Sequence, residues 1–388
     1  MFCVDLGEYG TSLEKKVDLK YETLPQGRGK LVKEECLVLF DLRLRYFILF
    51  FLFLWGIPVS AYNYEVTWRF ENHGNEVYNM SLKDLGIPVF PDTGFQRVIM
   101  ETSYNETKLL RLELGFVKII PVDPVLVPIY EGYTIHASYK IESATKPTPS
   151  IGKQMAESVE QIPEELLEYT VSNSLYFGDN PEITDLAAGL TLNEETVYGK
   201  VQCLLDWFEE NSTYIITETP KRPEYMIRDP RGDCDDLSLL FISMCRSQGI
   251  PTYLQAGVVF SDSIRIDKTD WNGHYHYVFE GAGWHAWVMV YIPPWGWLPV
   301  DLTMLGGMNP VETITEAYYW RENTITAWNI TSHDYIQDEI NKREKLNEAN
   351  VIFTQMDKRV IEEEKRPPIH LYWGAAALIL RVYLKIRD

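Results

Sequence analysis

The run Arg231-Gly232-Asp233-Cys234-Asp235-Asp236 leads directly into Leu237-Ser238-Leu239-Leu240-Phe241. A tight turn thus hands a cysteine to the start of an apolar, helix-spaced stretch. Leu237, Leu240, Phe241 and Met244 recur at helical intervals. Asp233 suits the N-cap, Asp235 and Asp236 suit the first turn, and Gly249 followed by Pro251 gives the stop. A cysteine at a helix N-terminus has its thiolate favoured by the helix dipole. The two acidic neighbours oppose that effect, so they are expected to point away or to bond backbone. Gly232 lets the chain turn sharply and is read as leaving room for a substrate.

Working outward, Trp284-His285-Ala286-Trp287 and Trp297-Leu298-Pro299-Val300-Asp301 follow in order. The β-branched and aromatic run Trp287 to Ile292 places His285 at a strand start. Pro293-Pro294-Trp295-Gly296 reads as a turn, and Trp297 to Leu302 as the returning strand of a hairpin. Asp301 then lies beside His285. Cysteine, histidine and aspartate in this arrangement are the parts of an activated nucleophile, its general base and an orienting carboxylate.

These residues resemble the transglutaminase-like superfamily of papain-like cysteine enzymes, of the exported prokaryotic type. The resemblance covers about residues 160 to 335. It includes Tyr198 to Phe208, Asn211 to Tyr214, Arg246 to Pro251 and Asp301-Leu302-Thr303 as well as the motifs above. It implies Cys234 as nucleophile, His285 as general base and acid, and Asp301 as orienter. It also implies an α+β fold, with a core helix packed on an antiparallel sheet. Members include crosslinkers, peptidases, amidases and inactive relatives, so the expected activity is an extracytoplasmic, cysteine-dependent amide-bond enzyme acting on protein or peptide substrates. The alternative is a cell-envelope binding or scaffold protein with a vestigial site.

Between Val259 and Trp284 the chain inserts Phe260 through Gly283, read as a polar and aromatic loop near the cleft with its turn at Asp270-Trp271-Asn272-Gly273. His274 and His276 share one side of a strand, which supplies a further alternative: a metal-dependent hydrolase using them with His285. The triad reading requires no cofactor. Calcium fits the acidity, but no loop has the spacing of a calcium site.

The chain holds 36 Lys+Arg against 56 Asp+Glu, a formal charge of −20. Such a body repels polyanions, and no basic stripe, zinc-finger spacing or phosphate-binding glycine loop is evident, so nucleic-acid partners are excluded. Phe47 to Trp55 is uncharged, Arg43 and Arg45 precede it, and Val59-Ser60-Ala61 follows. This resembles a signal peptide or a short anchor. Ile369 to Leu380 is a second apolar patch, with Arg381, Lys385 and Arg387 behind it. Together these suggest export and membrane association, either secreted or membrane-anchored. Cys203 and Cys245 are read as buried thiols.

Six stretches follow: 1–61, an extension with signal peptide or anchor; 62–143, a β-sandwich; 144–162, a linker; 163–335, the catalytic domain, opening on a helix at Pro163 to Leu167; 336–366, a charged helix; and 367–388, the apolar tail. The sandwich is expected from alternation in Tyr64 to Phe70 and from later short runs such as Tyr133 to Tyr139.

Overall fold

The computed structural model describes residues 59–361, apart from 104–105, 114, 145–148 and 304–322. The apolar run at 47–55, part of the linker and the C-terminal patch lie outside the described residues. Among the described residues no helix is long and apolar enough to cross a membrane.

The fold is α+β. Its frame is one sheet of eight strands: β1 (Val59–Asn72), β2 (Gln96–Thr102), β3 (Gly132–Ala144), β4 (Thr252–Asp270), β5 (Tyr275–Ile292), β6 (Gly296–Val300), β7 (Thr324–Ile330) and β8 (Val351–Val360). They lie in the order β7-β4-β5-β8-β1-β3-β2, with β6 also pairing β5. The pairings are antiparallel except β5 with β8. Alternation sets which side each residue faces: Tyr62, Tyr64, Val66 and Phe70 of β1 are buried, while Glu65 and Arg69 between them keep solvent contact.

The helices are α1 (Pro181–Thr191), α2 (Val197–Asn211), α3 (Pro223–Met226), α4 (Cys234–Ser247) and α5 (Tyr335–Ala349). Every residue of α4 from Cys234 to Arg246 is buried, so it is the core helix. Its Leu239, Leu240 and Ile242 share a core with Leu204 and Phe208 of α2 and with Ala286, Val288 and Val290 of β5. A second core gathers Tyr64, Phe70 and Tyr139 of the N-terminal strands with Tyr275, Tyr277, Trp284 and Phe353. Arg246 fastens the end of α4. Its buried guanidinium donates to the carbonyls of Val171, Thr252 and Thr331 and lies 4.0 Å from the ring centre of Tyr176.

Four expectations change. The N-terminal strands do not stand apart as a sandwich: β1, β2 and β3 continue the same sheet as β4 and β5, because β8 returns from the far end of the chain to lie between β5 and β1. A smaller sheet orders Ile87–Pro88, Phe116–Pro121 and Thr107–Glu113 beside it. The charged helix stops at Ala349, where Asn350 takes a left-handed conformation (φ 52°), and the alternating Val351-Ile352-Phe353-Thr354 opens β8 instead. The inserted residues 260–283 are not a loop over the cleft. They lengthen β4 and β5 into a hairpin with a register shift between Phe260 and Arg265 and its turn at Trp271–Gly273. Tyr275, Tyr277 and Phe279 alternate inward along it, with the less buried His276 and Val278 between them. Residues Glu164–Thr170 form a 3₁₀ helix rather than an α-helix.

Candidate active site

Asp233 caps α4 in extended backbone, and Asp236 answers it: its Oδ2 accepts the N–H of Asp233 at 3.3 Å, completing a capping box. Cys234 is therefore the first helical residue, with its side chain against the middle of β5. Its sulfur accepts the N–H of Ala286 at 3.3 Å, which seats it against the residue next to His285. His285 lies mid-strand in β5 rather than at a strand start. Its Nε2 is 2.6 Å from Oδ2 of Asp301, both side chains being buried. Asp301 is held in turn, its Oδ1 accepting from the N–H of Thr303 at 3.1 Å and the hydroxyl of Thr303 at 3.3 Å. The hairpin β5–β6 creates this meeting, pairing Val288 with Val300 so that the chain delivers Asp301 back beside His285.

With Nε2 engaged by Asp301, Nδ1 is the ring nitrogen left to exchange a proton. Trp287 stacks on His285 at 6.0 Å between ring centres. Its indole N–H donates to Gln255, whose amide reaches Asn329 at 2.6 Å. The site is thus walled by a tryptophan that is itself fixed across β4 and β7. Cys234 is disulfide-bonded, whereas Cys203 and Cys245 are free thiols; only in its reduced form can Cys234 supply a nucleophilic thiolate.

The acidic neighbours are accommodated as the sequence required. Asp236 accepts from the backbone of Lys221 at 2.6 Å and from the hydroxyl of Thr217 at 3.1 Å. Asp235 accepts from the hydroxyl of Tyr335 at 2.7 Å. Burial, reinforced by Asp235, pushes the Asp233 carboxyl well above the usual carboxylate range. Burial and then Asp235 raise Asp236 to about 7, against hydrogen bonds that pull it down. Two of the three carboxyls beside the sulfur therefore resist ionisation, so less negative charge opposes a thiolate. The three carboxylates converge within 4.8 Å, the one such acidic grouping among the described residues. Gly232 also has a steric reason to be small: a Cβ there would lie 2.5 Å from the Cβ of Asp236.

Tyr335 lies 100 residues from Asp235, and no local pattern announces the contact. Gln255 likewise reads as an ordinary strand residue. Trp207 and Tyr214 pack against the core around α4. The metal reading through His274, His276 and His285 does not hold together. His274 Nδ1 lies 3.1 Å from the carbonyl of Val351, and His276 Nε2 lies 2.9 Å from Asp267. They sit at the tip of the hairpin, and the strand from His276 to His285 is on the order of 30 Å long.

Residues 184–302 match the family model of the transglutaminase-like superfamily. The curated protein YebA of Bacillus subtilis, itself uncharacterized, is 29% identical over 156 residues, which is 37% of this chain and 21% of YebA. The chain thus spans about a fifth of that relative. Among solved structures, one from Cytophaga hutchinsonii named "Putative Cysteine Protease" is 13% identical, with a TM-score of 0.48, covering 79% of this chain and 93% of its own. The periplasmic domain of TgpA from Pseudomonas aeruginosa is 15% identical, with a TM-score of 0.30, covering 67% and 94%.

Proposed function

We propose that the protein is a cysteine-dependent amide-bond enzyme working outside the cytoplasm on protein or peptide substrates. The observation that carries the reading is the buried His285–Asp301 pair together with the sulfur of the first residue of α4, which accepts the N–H of Ala286 directly after His285. In the proposed reaction the Cys234 sulfur attacks an amide carbonyl carbon as the thiol proton passes to His285. The tetrahedral intermediate collapses, the C–N bond breaks, and His285 returns the proton to the departing amine. A thioester remains. Water attacks it with His285 again as base, releasing a carboxylic acid and the thiol; a primary amine in place of water gives a new amide instead. Asp301 stabilises the imidazolium formed in each half-reaction. The Cys234 backbone N–H, at the positive end of α4, is the proposed oxyanion donor. The apolar run at 47–55 and the small residues after it support export.

Incubation of reduced protein with a labelled peptide amide and a labelled amine donor tests this. Wild type is expected to release acid or form the amine adduct, and Cys234→Ala to do neither. Equal turnover by both proteins would end the proposal.

A further inference from the structure

A cavity of about 410 Å³ opens between the N-terminal strands, β5, β8 and α5. Trp68, Trp284, Trp328 and Phe353 furnish its apolar walls, and Lys118 and Lys342 project into it. The Lys342 ammonium lies 3.8 Å from the ring centre of Phe353 and 5.7 Å from that of Trp68. The Lys118 ammonium lies 5.6 Å from Trp328 and 5.5 Å from Phe116. Of the acids lining it, Asp338 pairs with Lys83 at 3.2 Å and His333 at 2.9 Å, and Asp84 with Lys345 at 3.9 Å; Glu339 lines it as well. Among the described residues neither Lys118 nor Lys342 has a carboxylate within the 4.0 Å of an ion pair.

An ammonium held among aromatic rings is stabilised by their faces, but desolvation without a counter-anion still costs it. The protonation behaviour reflects that cost. Burial lowers the Lys342 pKa to about 8, Asp84 opposing and Lys118 adding, with Glu339 also opposing. Burial likewise lowers Lys118, against Asp338 and Asp84. An anion brought into the cavity would relieve both.

We propose that this cavity binds an amphiphilic carboxylate, its apolar body against the tryptophan and phenylalanine walls and its head between Lys118 and Lys342. The size fits: small-molecule sites are mostly apolar hollows of about 300–1,000 Å³ with a few placed polar groups. This site stands independently of the amide-bond reading, since none of its walls carries that chemistry.

Calorimetric titration of the full chain with decanoate, and separately with 1-decanol, tests it. Decanoate is expected to bind at one site, to change the fluorescence of the cavity tryptophans, and to bind roughly tenfold or more tighter than decanol, because a charge-assisted contact is lost in the alcohol. Lys342→Met and Lys118→Met are each expected to weaken decanoate by a similar factor and to leave decanol nearly unchanged. No saturable decanoate binding, or decanol binding as tightly as decanoate, would overturn the proposal on wild-type protein alone, whatever the variants do. Variants that fold and still bind decanoate like wild type would overturn it too.

Discussion

Cys234, Cys203 and Cys245 share a side chain and differ in surroundings. Burial pushes the Cys245 thiol far up, and burial, with Glu194 and Asp206 beside it, raises Cys203. Cys234 sits at a helix N-terminus, its sulfur on the N–H of Ala286, the residue after His285. Iodoacetamide added to reduced, folded protein near neutral pH is therefore expected to modify Cys234 first, as read by peptide mass spectrometry, and His285→Ala to slow it. Equal rates at all three sites would remove the basis for an activated thiol. Asp301→Asn keeps the shape of the carboxylate but not its charge, so turnover is expected to fall by on the order of 10²–10⁴. A loss of less than about threefold in steady-state kinetics would make Asp301 a structural residue. Asp236 gives a pH prediction. Its folded pKa is raised to about 7 from an ordinary value of 3.8, so between those values the folded state holds a proton that the unfolded state has released. Stability contributed by this group is present at low pH and lost as pH rises toward 7. Asp236→Asn should flatten that part of the stability–pH curve in urea titrations; an unchanged slope would assign the proton elsewhere.

At the scale of elements, the turn before α4 carries a steric demand of its own. Adding a methyl at Gly232 forces it onto Asp236, the partner in the capping box. Gly232→Ala is expected to cost about 1–3 kcal/mol, measured as a lower urea midpoint at unchanged slope; no loss would mean that Asp236 moves freely. Much of this element was legible. The N-cap, the acidic first turn, the helical spacing and the Gly249–Pro251 stop are all local signals, and the helix runs where they place it. The hairpin that carries His285 and Asp301 was legible for the same reason, since a continuous β-branched and aromatic run and a Pro-Pro-Trp-Gly turn are written in adjacent residues. The inserted hairpin was not, because Ser261-Asp262-Ser263 at the register shift interrupts the alternation that would have marked strands. The end of α5 was missed because charged residues continue past Ala349 while the backbone turns at Asn350, and charge alone does not distinguish helix from edge-facing strand.

For the whole molecule, the decisive contact is the longest in sequence. β8 pairs with β5 on one side and with β1 on the other, ten residues of β1 from Asn63 to Asn72 matching Val360 to Val351. No local pattern can report a pairing between the two ends of the described chain, which is why a separate N-terminal module looked natural in the sequence. The pairing is backed by packing: Phe353 stacks on Phe70 at 4.6 Å and on Tyr275 at 5.1 Å, joining N-terminal and catalytic strands through one side chain. Tyr64 stacks on Tyr139 at 5.5 Å within the same core that holds Trp284, the neighbour of His285. A spacer domain and a shared sheet make opposite predictions for truncation. If residues 59–143 were a spacer, a chain beginning at 149 would fold alone. With a shared sheet, it exposes the edge of β8 and one face of Phe353 and Tyr275, surfaces that favour aggregation. The truncated chain is therefore expected to be insoluble or to lack a cooperative thermal transition. The chain covering 59–361 should unfold in one transition, with tryptophan fluorescence and far-UV circular dichroism coinciding. A soluble truncated chain with a sharp transition of its own would show that the sheet is two units in contact.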